Sequence, residues 1–105
     1  MKRVVMDGGY IKLYRSIDSW EYRQDPNVFS VWIRLLTMAN YESKQWNGII
    51  IERGQCVTSV NVLVKECGLT TQNVRTALKK LEKSGNLTRK TTNKYTIVTI
   101  CKYED

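Results

Sequence analysis

Between residues 59 and 101 two helical runs give way to two β-runs, and that order restricts the fold more than any other feature of the chain. Ser59 begins a short helical run, its hydroxyl suited to accept a hydrogen bond from a first-turn amide. Val60, Val62, Leu63, Val64 and Cys67 supply its apolar positions, and Gly68 offers the left-handed residue that ends such helices. Leu69 fills the angle of a sharp reversal, and Thr70 or Thr71 caps a second helix over residues 71–84. There Val74, Ala77, Leu78 and Leu81 recur at helical spacing until Gly85 closes the run. Next come two β-runs, Leu87-Thr88-Arg89-Lys90 and residues 95–101, around the polar turn Thr91-Thr92-Asn93-Lys94: a hairpin. Helix, tight turn, helix, hairpin is the order of a winged helix-turn-helix, whose second helix enters a major groove while the hairpin lies along the backbone. The expected class is α+β: a three-helix core, a C-terminal β-hairpin wing and a short N-terminal strand.

Upstream, residues 10–14 alternate weakly and are expected to form that strand, and residues 16–22 form a helical turn or irregular segment carrying Trp20. Asp25-Pro26-Asn27 is a helix start: Asp25 can cap, and Pro26 suits the first helical position. The helix over residues 27–40 holds Val28, Phe29, Val31, Trp32, Ile33, Leu35, Leu36, Met38 and Ala39, more than a one-sided stripe. It is expected to be buried on most of its circumference, as the central helix or against a second subunit. Residues 41–48 read as a loop that Trp46 pins to the core. Ile49, Ile50 and Ile51 form a strand, Arg53-Gly54 a turn, and Gln55-Cys56-Val57-Thr58 either pairs or leads into the next helix. With 105 residues there is room for one core, expected over residues 10–103 behind an arm of residues 1–9.

The chain carries 17 Lys+Arg against 10 Asp+Glu, a net +7, which favours anionic partners. Its distribution is the sharper observation. From Arg75 to Lys94, seven cations face Glu82 alone, so +6 of the excess falls in those twenty residues. Gln, Asn and Arg match base edges, and Lys suits phosphates. Gln72, Asn73, Arg75 and Thr76 are therefore expected near base edges, and Lys79, Lys80, Lys83, Arg89, Lys90 and Lys94 at phosphates. Thr71, Thr92 and Asn93 complete the candidate DNA-binding set. The competing explanation is that a lysine-rich face is merely solvated. Trp20, Trp32 and Trp46 are expected as core or interface anchors rather than base-stacking platforms.

The 105 residues contain no histidine, which removes the commonest general base, Ser-His and Cys-His pairs and His-containing zinc sites. Neither paired carboxylates nor a phosphate-binding glycine loop appears, so an enzyme is the least expected class. Cys56, Cys67 and Cys101 form no CxxC pair and read as packed, reduced thiols in a reducing compartment. No cofactor and no metal are expected. Asp7 interrupts the short apolar run near the start, and nothing approaches the roughly 18 apolar residues of a membrane span. The expected location is cytoplasmic, with no membrane partner.

Several stretches carry a family resemblance. Tyr10-Ile11-Lys12-Leu13-Tyr14-Arg15, the following Trp20, and Asp25-Pro26-Asn27 with its apolar helix resemble the start of phage replisome-organiser proteins. Gly48-Ile49-Ile50-Ile51-Glu52-Arg53-Gly54-Gln55-Cys56-Val57-Thr58-Ser59 is similar to a signature of the same family. Residues 74–81 and 91–97 complete the likeness, which covers roughly residues 9–103. It is a likeness to the amino-terminal winged-helix domain of DnaD-type primosomal proteins. The resemblance implies replication initiation: binding origin DNA, assembling as a homo-oligomer (dimer or higher), and contacting a helicase loader or other primosomal proteins; the helix-turn-helix order makes double-stranded DNA the expected form. Two further readings stay open, an oligomerisation and scaffold module that contacts protein, and a GntR- or MarR-like transcription regulator.

Overall fold

Helix starts and stops lie where local hydrogen-bonding chemistry puts them. In the computed structural model, which describes residues 14–101, a 3-10 helix at Arg15–Ser19 precedes α1, Pro26–Met38. Asp25 caps α1, its Oδ1 accepting from the Val28 amide at 3.2 Å, with Pro26 in the first turn. Ser59 caps α2, Val60–Cys67, by accepting from Val62, and Gly68 ends it at φ +67°. The Leu69 amide then closes back onto the Val64 carbonyl at 3.3 Å, satisfying an orphan acceptor of the last turn. Of the two threonines, Thr70 is the cap of α3, Thr71–Lys83, accepting from the Asn73 amide at 3.1 Å. Gly85, at φ +81°, stops α3 as expected.

Two antiparallel sheets complete the α+β architecture. Strands β3 (Gln55–Thr58), β4 (Leu87–Thr91) and β5 (Thr96–Ile100) form one, in the order β3-β5-β4. Residues 55–58 therefore do pair, with Cys56 opposite Val98 and Val57 opposite Ile97. In the hairpin, Leu87 lies opposite Ile100 and Thr91 opposite Thr96. The second sheet corrects an expectation: residues 41–48 are not simply a loop. Lys44–Trp46 (β1) pairs with Ile49–Ile51 (β2) through the two-residue turn Asn47-Gly48. Both turn residues have positive φ, +53° and +81°, the geometry that Asn-Gly favours and that matches strand twist. The polarity of Lys44 and Gln45 hid this strand.

The core lies where α1, α2 and α3 meet the β3-β5-β4 sheet. Val28, Val31, Leu35, Leu63, Val74, Leu81, Leu87 and Val98 are buried in it. Full burial of a side chain of this size contributes roughly 1.5–3 kcal/mol. α1 is less enclosed than its composition suggests. Val28, Val31 and Leu35 make its buried face, whereas Phe29, Trp32, Ile33 and Leu36 are half-buried. Trp20 packs on Phe29 and Trp32 from outside, with ring centroids 6.5 and 5.8 Å away, and thereby covers part of that side. Trp46 is 39% exposed and meets Tyr95 edge-to-face at 4.9 Å, so it anchors the β1–β2 hairpin to the β4–β5 turn rather than to the core. The expected N-terminal strand over residues 10–14 and the arm before it lie outside the described residues, apart from Tyr14, which is exposed and extended.

Candidate nucleic-acid interface

The amphipathic pattern of α3 decides which of its side chains face out. Val74, Ala77, Leu78 and Leu81 are buried, which docks α3 against α1, α2 and β4 and turns Arg75, Thr76, Lys79, Lys80 and Lys83 to solvent. Arg75, Lys79 and Lys83 stand four residues apart, a single stripe with a cation about every 6 Å along the helix. Between that stripe and the strands of the hairpin runs an open groove of about 540 Å³. Its walls bring together seven of the expected contact residues: Gln72, Arg75, Thr76, Lys79, Lys80, Lys83 and Arg89.

The remaining expected residues are placed differently. Thr71 is exposed at the start of α3, and Asn73 is half-buried there. Lys90 on β4 and Asn93 and Lys94 in the hairpin turn are exposed but do not line the groove. Thr92 is committed to building that turn: its Oγ1 donates to the Tyr95 carbonyl at 3.1 Å and accepts from the Tyr95 amide at 3.2 Å. Two expected base readers are bonded to each other, the Gln72 amide donating to Thr76 Oγ1 at 3.2 Å. Val60, Thr91 and Thr96 also line the groove and were not anticipated. The hairpin register held the signal for the two threonines, which face each other with hydroxyls 3.3 Å apart.

The cations divide into two sets. Lys80 Nζ donates to Asp25 Oδ2 at 2.9 Å, and the Arg89 guanidinium donates to Glu82 Oε1 at 3.2 Å. The Lys80 ammonium and the Val28 amide together hold the Asp25 carboxyl below the usual carboxylate range, against the opposing effect of its partial burial. Arg75, Lys79, Lys83, Lys90 and Lys94 have no carboxylate partner among the described residues.

Elsewhere, Arg34 on α1 pairs with Glu66 on α2 at 2.8 Å, which lowers the Glu66 pKa and raises that of Arg34. Burial pushes the Cys56 thiol up to about 11, far from a reactive thiolate. Among the described residues no group of three or more Cys, Asp or Glu side chains gathers as a metal site, and no helix is long and apolar enough to cross a membrane. No protein-family model, curated protein or solved structure matches the chain.

Proposed function

We propose that the chain is a DNA-binding winged-helix protein that presents α3 to the major groove of a duplex and the β4–β5 hairpin to its backbone. The element order α1, β3, α2, α3, β4, β5 and the sheet order β3-β5-β4 support this. The observation that carries it is the placement of five exposed cations, Arg75, Lys79, Lys83, Lys90 and Lys94, none with a carboxylate partner among the described residues, on one helix face and one hairpin. A merely solvated face gives no reason for that excess to continue across two elements. Lys79, Lys83, Lys90 and Lys94 serve phosphates, and Gln72, Arg75 and Thr76 lie where base edges would be read. The replication role, and contact with a helicase loader or other primosomal proteins, rest on the family resemblance. Sequencing of genomic fragments bound by the chain checks it: replication-origin repeats support the role, whereas promoters point to a transcription regulator.

The binding itself is tested by fluorescence anisotropy of a labelled 20-base-pair duplex across salt concentrations. Four phosphate contacts give a slope of log affinity on log salt of about −3.6, a loss of about 150-fold between 50 and 200 mM. The Lys79→Ala/Lys83→Ala double variant is expected at about −1.8, a loss of about 12-fold over the same range. Absence of binding, or a double variant with the wild-type slope, refutes the proposal. A second reading, a homo-oligomerisation module, is favoured by Phe29 and Ile33, half-buried apolar residues of α1 that lie outside the core cluster and its packed partners. Sedimentation decides it, and a monomer at high concentration ends it. The two are compatible, because a dimer would present two α3 helices.

A further inference from the structure

Lys80 and Arg89 line the same groove as Arg75, Lys79 and Lys83, yet each already has an anionic partner. The Asp25 carboxylate that holds Lys80 is itself fixed, because its other oxygen caps α1 through the Val28 amide. Glu82 is the one acidic residue between Arg75 and Lys94, and it sits on α3 within reach of Arg89 on β4. A carboxylate oxygen 2.9 Å from an ammonium makes the same charge-assisted hydrogen bond that a phosphate oxygen would make. A cation so neutralised gains little by exchanging one oxyanion for another, and gives no net release of counterions from DNA.

Building on the DNA-binding reading, we infer that Asp25 and Glu82 act as internal phosphate substitutes that withhold Lys80 and Arg89 from nucleic acid. They set the affinity and the salt response of the groove below what its five cations allow. Two carboxylates, contributed by the loop before α1 and by α3, thereby hold the interface at about four phosphate contacts. DNA bound this way exchanges readily. Loss of either carboxylate converts a structural ion pair into an additional phosphate contact.

The test compares Asp25→Asn and Glu82→Gln with Glu66→Gln in the duplex titration described above. Asp25→Asn retains a side-chain oxygen suited to capping α1, so the fold survives. Glu66→Gln is the charge-matched control: it breaks the Arg34–Glu66 pair, neither member of which lines the groove. Each of the first two variants is expected to steepen the salt slope by about 0.9 and to tighten binding about 8-fold at 0.1 M salt. Their combination should tighten it about 60-fold, whereas Glu66→Gln leaves the slope at the wild-type value. An unchanged slope in either groove variant, or an equal change in Glu66→Gln, overturns the inference while DNA binding itself stands. A wild-type chain that does not bind overturns both.

Discussion

Asp25 performs two tasks with two oxygens, and separating them tests how the N-terminus of α1 is held to α3. Oδ1 caps α1 at the Val28 amide (3.2 Å) and Oδ2 accepts from Lys80 (2.9 Å). Replacing a capping aspartate by alanine costs about 1 kcal/mol. The side chains of the ion pair are 45% exposed at Lys80 and 27% at Asp25. Solvent screening therefore limits the pair to about 0.3–1 kcal/mol. Asp25→Ala is expected to lose both, about 1.3–2 kcal/mol, and Asp25→Asn only the ion pair. For a domain of this size each kcal/mol moves Tm by roughly 4–8 °C, so the two variants should separate clearly. The pH dependence has a definite sign. The folded carboxyl has a lowered pKa, so its contribution is fully present above the unfolded value of about 4 and is lost as pH falls through the folded one. Urea denaturation at pH 7 and pH 3, with Lys80→Met completing a double-mutant cycle, measures each part. Equal stability of Asp25→Ala and Asp25→Asn at pH 7, or a wild-type advantage over Asp25→Asn that survives unchanged at pH 3, refutes this division between the two oxygens.

Three further outcomes follow from burial and backbone geometry. Thr58 is 6% exposed and its hydroxyl has no hydrogen-bond partner among the described residues. Thr58→Val, which keeps the shape and removes the unpaired group, should raise stability by about 1 kcal/mol in urea denaturation. Gly68→Ala meets open space but must adopt φ +67°, so it should destabilise by about 1–2 kcal/mol, read as a lower Tm. With its thiol raised to about 11 by burial, Cys56 should resist a thiol-specific chromogenic reagent at pH 8 until denaturant is added, while the half-buried Cys67 and Cys101 react in the native state.

Much of the fold was legible because it is written in local hydrogen bonding and period. Asp25, Ser59 and the glycines at 68 and 85 mark helix ends through groups three to five residues away, so a reader of sequence needs no tertiary knowledge to place them. The same holds for the cation stripe of α3, which the apolar positions Val74, Ala77, Leu78 and Leu81 orient by default. Strand β1 was missed because Lys44 and Gln45 offer no apolar alternation, although Asn47-Gly48 is a turn signal strong enough to have revealed it. The enclosure of α1 was overestimated because composition counts apolar residues without counting the neighbours available to cover them.

What the sequence by itself determined is the order of the helices and the hairpin, the docking face of α3 and the concentration of positive charge between Arg75 and Lys94. Only the tertiary structure decided which of those charges are free. Lys80 is 55 residues from Asp25, and Arg89 lies on a different element from Glu82. Such pairs form when packing of the core brings separate segments together, and no local period encodes them. The same packing joined β3 to β5 and set Trp46 against Tyr95. Charge is a property of composition, but its availability to a phosphate depends on which carboxylate the fold has placed beside it.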